Sequence, residues 1–192
     1  MNKKRIEELT REFLEEIGFD TKSERLSKTP GKVALMLEEI FSEIKKDPKE
    51  GINVFKTEVK NEIVLLKNIP FFSFCEHHLL PFFGRVHITY IPQNGIISGF
   101  SSFVSIVKNL SRRLQLQEKL TDEIADTVSE ILQPEGIMVV IEARHLCVEM
   151  RNERPGGTEV ITSSVRGKMK EPSYQERALS MITPKKTITK PQ

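Results

Sequence analysis

The order in which hydrophobic periodicity changes along the chain restricts its fold more than any other feature. Apolar residues first recur at helical spacing and later alternate with polar residues, as is typical of a half-buried strand. After the N-terminal helices, the predicted elements are strands at 62–67 and 85–91, helices at 101–114 and 117–132, strands at 137–141 and 159–163, and a helix at 173–182. Because helices and strands occur in blocks, we predict an α+β fold with about four strands and two long helices on one face.

The N-terminal segment is predicted to form two amphipathic helices. The apolar stripe of the first consists of Ile6, Leu9, Phe13 and Ile17. Gly18 is expected to end this helix, and Thr29 is expected to cap the next one, with Pro30 at its first position. The predicted buried face of the second helix comprises Val33, Met36, Leu37, Ile40 and Phe41.

The domain organisation follows from the loops between these elements. Residues 44–54 are polar and contain proline and glycine, which predicts a loop. We therefore expect an N-terminal helical segment at 1–50, one main domain at 51–182 and a mobile basic tail at 183–192. A sheet this small leaves open edges, so we also expect oligomerisation to cover them.

Composition and charge exclude several classes of protein. No run approaches the ~20 apolar residues of a membrane span, and the charged N-terminus lacks the apolar core of a secretory signal. We therefore expect a cytoplasmic protein, in which the two cysteines form no structural disulfide. The 29 Lys and Arg are nearly balanced by 27 Asp and Glu and interleaved with them, which argues against a nucleic-acid partner.

Most of the reactive side chains fall in two short segments. Cys75 and His78 have the spacing that lets a thiolate and an imidazole reach one metal ion from a turn. His145 and Cys147 would share a face if the second segment is extended. Each of these residues alone fits a structural role, because buried free cysteine behaves as a small hydrophobe. Their clustering, in a chain with two Cys and four His, favours a metal site instead.

The number of candidate ligands bears on the kind of metal site. A structural zinc site normally has four protein ligands, whereas a catalytic one has three and an open position. Cys75, His78 and Cys147 supply three, which leaves His77 and His145 as proton carriers beside the metal. This division suits metal-assisted hydrolysis.

Three other polar features are weak signals when taken alone. His87 lies within the alternating strand and is interpreted as a structural residue. The segment 115–121 fits an ordinary helix start, where an acidic residue in the first turn favours the helix dipole. Arg144, Arg151 and Arg154 suggest an anion site, but three arginines in a charged chain carry little weight.

Four segments, in a fixed order, resemble one known family. They are Thr-Pro-Gly-Lys-Val-Ala at 29–34, Cys-Glu-His-His-Leu-Leu-Pro-Phe-Phe-Gly-Arg-Val-His-Ile-Thr-Tyr-Ile-Pro at 75–92, Arg-Arg-Leu-Gln-Leu-Gln-Glu-Lys-Leu-Thr at 112–121, and His-Leu-Cys-Val-Glu-Met-Arg at 145–151. The chain resembles the GTP cyclohydrolase I family from about residue 5 to 182. The resemblance implies the tunnelling fold, an antiparallel sheet backed by two helices, with 51–182 as its catalytic domain. It also implies a homo-oligomer, typically a decamer of two pentamers whose subunits join their sheets into a barrel.

The resemblance further implies a reaction and a cofactor. The family opens the guanine imidazole ring of GTP, releases C8 as formate and forms 7,8-dihydroneopterin triphosphate, which begins folate or tetrahydrobiopterin synthesis. Zinc would be bound by Cys75, His78 and Cys147, and would lower the pKa of a bound water towards ~7. His77 would protonate the imidazole nitrogen of the base, and His145 would move protons during ring and ribose opening.

Substrate contacts are also implied by the matching positions. Glu118, with Gln117, would recognise the guanine edge, because a carboxylate accepts hydrogen bonds from both N1–H and the 2-amino group. Ser101 would lie in the phosphate-side loop, and Arg151 would meet phosphate oxygens.

The chain departs from the family pattern mainly on the phosphate side. The departures are Ser102 for lysine, Ser105 for arginine, Lys32 for arginine and Asn152 for glycine. Either Arg154, Arg144 or a base of a neighbouring subunit replaces the lost contacts, or the substrate is a less phosphorylated guanine nucleotide or a related purine. A third hypothesis is a non-catalytic homologue that binds a pterin or a purine, although such a binder has no need of an open zinc position.

Overall fold

The structure is a computed structural model that describes residues 1–58, 63–150 and 157–183. The chain divides into two compact units, Met1–Lys45 and Lys46–Gln192. Among the described residues, none of the helices combines the length and the apolar composition needed to cross a membrane.

The N-terminal unit contains two helices, α1 (Lys3–Glu16) and α2 (Thr29–Ile40). The Asn2 side chain caps α1 by accepting a hydrogen bond from the backbone N–H of Arg5 at 3.1 Å. Gly18 adopts a φ of +91° just beyond the end of α1, which confirms the predicted stop.

Helix α2 differs from its prediction in its cap and in its buried face. The cap position is Lys28, which makes no side-chain capping bond, and Thr29 is already helical. The predicted buried face is wrong at Met36, which is 47% exposed. Within α2 the buried residues are Pro30 and Ala34, and α1 packs against this helix.

The second unit combines strands and helices in blocks, as predicted. Its elements are β1 (Val54–Lys56), β2 (Val64–Cys75), β3 (Pro81–Ile91), β4 (Ile96–Ser98), α3 (Phe100–Ser111), β5 (Leu114–Gln115), α4 (Gln117–Leu132), β6 (Gly136–His145), α5 (Leu146–Glu149), β7 (Glu159–Gly167) and α6 (Pro172–Ile182). The strands are longer than predicted, so that β2 and β6 extend to Cys75 and His145. Glu62, the first residue of the predicted strand 62–67, lies outside the described residues.

The prediction of one helix over 101–114 is wrong at its C-terminal end. Helix α3 ends at Ser111, and Leu114 and Gln115 instead pair with Phe74 and Cys75 in parallel. This two-residue strand places the start of α4 beside the end of β2, since only Leu116 separates β5 from α4.

The main sheet has the strand order β5-β2-β3-β6-β7, and every pairing other than β5–β2 is antiparallel. Strands β1 and β4 form a separate two-stranded ribbon. Helices α3 and α4 pack together against one face of the sheet, which confirms the predicted arrangement.

Both faces of the sheet contribute to hydrophobic cores. Val86, Ile88 and Tyr90 of β3 face the core shared with α3 and α4. On the opposite face, Met138 and Val140 of β6 belong to a smaller core that includes residues of α6. Because the sheet is buried on two sides, its strand ends hold fixed positions, and the reactive segments lie at those ends.

Candidate active site

The loop between β2 and β3 brings the first two candidate ligands together. The backbone N–H of Cys75 donates to the carbonyl of Leu80, and that of Leu79 donates to the carbonyl of Cys75, both at 2.9 Å. Leu79 adopts a φ of +54°, which lets the chain reverse tightly into β3. The resulting turn leaves the Sγ of Cys75 only 3.8 Å from the Nδ1 of His78.

The second reactive segment is not extended, contrary to the expectation from residue spacing. His145 ends β6, and Cys147 lies on the short helix α5 that follows directly. A bidentate ion pair joins the Arg144 guanidinium to the Glu149 carboxylate, at 2.8 and 2.6 Å, across the start of this helix. The turn still places Cys147 beside the first loop, because register pairs Phe82 with His145 across β3 and β6.

The donor atoms of Cys75, His78 and Cys147 form a group that fits a metal ion. All three lie within 4.8 Å of one another, with both cysteines buried and the histidine exposed. In a tetrahedral zinc site the ligand atoms are about 3.3–3.8 Å apart, given zinc–ligand distances of about 2.0–2.3 Å. Two thiolates and an imidazole are ligands that zinc prefers, and three of them leave a fourth position open.

A cavity of about 250 Å³ adjoins this group of donor atoms. Besides the three candidate ligands, it is lined by residues that include His77, Gln115, Gln117, Glu118 and His145. His77 is exposed, with its ring centroid 6.2 Å from that of His78. Glu118 is exposed in the first turn of α4, so its carboxylate is accessible from the cavity side. The cavity thus combines a metal site, two further imidazoles and a carboxylate.

The ring of His145 is held on two sides. It stacks on Phe82, with 4.6 Å between centroids and 6° between planes, and its Nε2 lies 2.7 Å from the Oε1 of Gln117. Burial lowers the pKa of His145, and the carboxylate of Glu118 partly opposes this shift. The imidazole is therefore largely neutral near pH 7 and able to accept a proton.

Sequence patterns did not identify Phe82 and Gln115 as part of this environment. Phe82 is found only when the register of β3 against β6 is known, since it lies directly opposite His145. The Gln115 side chain donates to the carbonyl of Leu110 and to the carboxylate of Glu123, and its backbone carbonyl accepts from Glu76. Gln115 therefore ties α3, α4 and the loop after β2 together.

Of the phosphate-side residues, the structure describes the serines of α3 and does not bring them to this cavity. Ser101 is exposed near the start of α3 and is not part of the cavity lining. Ser102 lines a different crevice, with Ser98 and Phe103 among its neighbours. Arg151 lies outside the described residues, and the same holds for the alternative base Arg154.

Known proteins show the same sequence pattern over nearly the whole chain. The model of the family described as GTP cyclohydrolase I matches residues 6–183. The protein named GTP cyclohydrolase 1 from Clostridioides difficile (strain 630) is 44% identical over 187 residues, which are 96% of this chain and 98% of the relative. Its namesake from Caldanaerobacter subterraneus subsp. tengcongensis is 49% identical over 167 residues, 87% of this chain and 89% of the relative. The protein of the same name from Bacillus subtilis (strain 168) is 45% identical over 171 residues, which are 89% of this chain and 90% of the relative.

The solved structure titled archaeosine synthase QueF-Like in the apo form covers 57% of this chain and 97% of its own, with 21% identity and a TM-score of 0.43, which is too low to bear on the argument. The family match and the named relatives confirm the resemblance stated from the motifs and, with it, the tunnelling fold. The chain belongs to the GTP cyclohydrolase I family.

Proposed function

We propose that this chain is a zinc-dependent GTP cyclohydrolase I. It would hydrolyse the imidazole ring of the guanine base, release C8 as formate and rearrange the remainder to 7,8-dihydroneopterin triphosphate. The observation that carries the proposal is the meeting of the Cys75, His78 and Cys147 donor atoms with two further imidazoles and the Glu118 carboxylate around one cavity. Relatives named GTP cyclohydrolase 1 at 44–49% identity support the same activity.

The proposed metal ligands are Cys75, His78 and Cys147. Two thiolates and one imidazole favour zinc over harder cations such as magnesium, which prefer oxygen ligands. Zinc held there would supply Lewis acidity and lower the pKa of water for attack on C8. Burial of both cysteines keeps the thiolates away from bulk water, while the exposed His78 leaves the site open towards the cavity.

His77 and His145 are proposed to move the protons. His77 is exposed beside His78 and free to approach the imidazole nitrogen of the base, which it would protonate as C8 becomes tetrahedral. His145 is held by stacking and by hydrogen bonding, and burial favours its neutral form. A neutral imidazole at a fixed position is suited to take a proton from one substrate group and return it to another during ring and ribose opening.

Glu118 is proposed to recognise the guanine edge. Its carboxylate is exposed in the cavity and able to accept hydrogen bonds from N1–H and the 2-amino group together. Gln117 was expected to share this role, but its amide is turned towards His145 and the sheet. We therefore assign base recognition to Glu118.

A separate observation, the scarcity of basic residues on α3, bears on how many phosphates the substrate carries. From the resemblance, Ser101 and Arg151 would contact phosphate oxygens. Helix α3 presents Ser102 and Ser105 where the family has basic residues, and Lys108, in its last turn, is its first basic side chain. The alternative base Arg144 is already paired with a carboxylate. These features favour a less phosphorylated guanine nucleotide as the second candidate substrate.

A homo-oligomer, with a decamer of two pentamers as the expected form, is part of the proposal. Strand β7 forms one edge of the main sheet, and its outer backbone groups have no strand partner among the described residues. A second copy joined there would cover this edge. Light scattering tests the assembly, since a decamer has ten times the 22.0 kDa of one chain. A fully active monomer would contradict it. A cytoplasmic location fits two cysteines that must stay reduced to bind a metal.

The activity is tested by measuring formate release and pterin absorbance from GTP, GDP, GMP and guanosine with zinc-replete protein. We expect GTP or a less phosphorylated guanine nucleotide to release formate, and the proposal fails if none does. Glu118→Gln removes charge-assisted hydrogen bonds worth about 1.5–3 kcal/mol, so kcat/KM should fall by about 10- to 100-fold. Glu130→Gln, on the same helix but ion-paired with Lys49, is the matched control and should retain activity.

A further inference from the structure

The amide of Gln117 is the feature of the cavity that the proposed function leaves without a role. Gln117 is 2% exposed although it lies next to the exposed Glu118. Its Nε2 lies 3.1 Å from the carbonyl oxygen of Ile141 and 2.9 Å from that of Val160. Its Oε1 lies 2.7 Å from the Nε2 of His145. The side chain therefore connects α4 and the sheet to one catalytic imidazole.

The surroundings fix which end of this amide faces His145. The carbonyl oxygens of Ile141 and Val160 only accept hydrogen bonds, so the NH2 group must face them. A flipped amide would place its oxygen against two carbonyl oxygens, which would repel it. With the NH2 group fixed, the oxygen of Gln117 faces the imidazole.

Two threonine hydroxyls reinforce this orientation. The hydroxyl of Thr121 donates to the backbone carbonyl of Gln117 at 2.7 Å, which uses its only hydrogen. The hydroxyl of Thr162, 2.7 Å away, therefore donates to Thr121 and accepts from the Gln117 amide at 3.1 Å. These hydrogen bonds form a closed ring of Gln117, Thr121 and Thr162 between α4 and β7, in which the two amide hydrogens of Gln117 are shared among three acceptors.

We propose that Gln117 is a positioning residue that fixes the Nε2–H form of His145, so that His145 exchanges protons with the substrate through Nδ1. An amide oxygen only accepts, so the nitrogen facing it must carry hydrogen in both the neutral and the charged ring. A proton taken from the substrate then goes to the Nδ1 lone pair and gives an imidazolium. When Nδ1 returns that proton, the same neutral form is restored and the Gln117 bond is unbroken throughout.

The stacked Phe82 completes this arrangement. With the ring plane parallel to Phe82 and Nε2 bonded to Gln117, the imidazole retains one orientation. Among the described residues, no hydrogen bond occupies Nδ1, the nitrogen that the proposal assigns to proton exchange. The inference rests on the proposed function for the identity of the substrate, but the assignment of the protonated nitrogen does not.

The direct test is nitrogen NMR on zinc-loaded wild-type protein labelled with ¹⁵N-histidine. The chain has four histidines, and the spectrum of a His145→Asn variant identifies the signals of His145. We expect the neutral ring of His145 to show hydrogen on Nε2 and a bare Nδ1. Hydrogen on Nδ1 with a bare Nε2 would overturn the proposal. This measurement needs no turnover, so it stands even if no guanine nucleotide is hydrolysed, whereas that failure would overturn only the proposed activity.

Kinetics on Gln117 variants separate positioning from substrate binding. In Gln117→Leu we expect kcat for GTP to fall by about 10²-fold with KM nearly unchanged, because general acid–base catalysis contributes about 10²–10⁴-fold. A raised KM with unchanged kcat in Gln117→Leu would instead assign Gln117 to base recognition and overturn the proposal.

A matched control variant is available in a second buried glutamine. Gln115 is fully buried, and the hydrogen bonds of its side chain go to Leu110 and Glu123. Gln115→Leu should therefore keep hydrogen on Nε2 of His145, whereas Gln117→Leu should give a mixture of the two neutral forms. If both variants changed the His145 spectrum alike, loosening of the fold would explain the effect and the positioning role would be rejected.

Discussion

The cavity beside Cys75 and the outer face of α3 differ in how firmly contacts within one chain hold their side chains in place. Around the cavity, His145 is stacked and hydrogen-bonded, and Cys75 and His78 come from one closed turn. On the outer face of α3, Ser101 and Ser105 are exposed, and no charged residue occurs between Gly99 and Val107. The fold thus prearranges the proposed chemistry of the base, whereas the part of α3 before Lys108 provides no charge for the phosphates.

This difference has a physical consequence for catalysis and binding. Groups held in place before the substrate arrives need little reorganisation in the transition state, so they act mainly on kcat. Exposed contacts to phosphate act mainly on binding and are screened by salt. Substitutions at the cavity should therefore alter turnover, and substitutions on α3 should alter substrate preference.

The largest expected effect comes from removing a ligand at the cavity. Cys147→Ala leaves two donors from the group of three, so the purified protein should contain little zinc. A catalytic metal supplies several kcal/mol of transition-state stabilisation, so formate release should fall by about 10³-fold or more. Zinc content by elemental analysis and formate release by a coupled assay check the two expectations.

Ser73→Ala is a suitable control for this variant. Ser73 is buried on β2, two residues before Cys75, and donates a hydrogen bond to the carbonyl of Arg113. The substitution Ser73→Ala shortens a side chain similar in size to that of Cys147 but leaves every proposed metal ligand unchanged, so the protein should retain zinc. Full zinc in Cys147→Ala would contradict the ligand assignment.

The cavity could be predicted from the sequence because its residues lie in local motifs. Cys75 and His78 are three residues apart, and a turn brings such a pair together whatever the rest of the fold does. The two distant segments were paired because the chain has only two Cys and four His, and the family resemblance implied the same ligand set. The assumption of an extended chain at His145 and Cys147 was wrong, because α5 begins at Leu146, yet both residues still line the cavity.

Two kinds of feature could not be predicted from the sequence: those that depend on strand register, and those in which a tertiary contact overrides the local preference. Phe82 lies opposite His145 only in the observed alignment of β3 and β6. Leu114 continues a helical pattern locally but pairs with β2 instead, where its backbone gains sheet hydrogen bonds. The side chain of Gln117 turns inward because two sheet carbonyls accept from it, and no spacing in the sequence signals that contact.

An intermediate effect is expected from restoring positive charge to α3. Ser102→Lys with Ser105→Arg adds the basic residues that the family resemblance implies at these positions. One charge-assisted bond to phosphate contributes about 1.5 kcal/mol or more, so KM for GTP should fall by about tenfold while KM for GMP changes much less. Steady-state kinetics on both nucleotides measure the difference.

The matched control adds the same charges at a distance. Ser173→Lys with Ser180→Arg places them on exposed positions of α6, where they should leave the ratio of the two KM values unchanged. If the α3 variant behaves like the α6 control, then α3 does not face the phosphates and the contrast between the two regions is lost.

The smallest expected effect tests whether the residues that hold the cavity lining in place include the ion pair at α5. Arg144 forms a bidentate ion pair with Glu149, whose carboxylate pKa it lowers, so the pair is intact at neutral pH and is lost only as acid protonates Glu149. Because the pair spans the start of α5, Arg144→Ala should loosen Cys147 indirectly. Groups that orient metal ligands change affinity by about 10–100-fold, and this pair acts one step further away, so zinc should bind less than about tenfold more weakly.

Competition with a zinc chelator at neutral pH measures that change, and Arg166→Ala is its control. Arg166 also joins a strand to a helix through carboxylates, at 3.2 Å to Asp122 and 2.9 Å to Asp126, but these lie on α4 and not on the helix that carries Cys147. A general loss of rigidity would weaken zinc binding in both variants equally. A loss confined to Arg144→Ala would mean that the ordered region includes α5 and its ion pair, whereas no loss in either would limit it to the cavity wall itself.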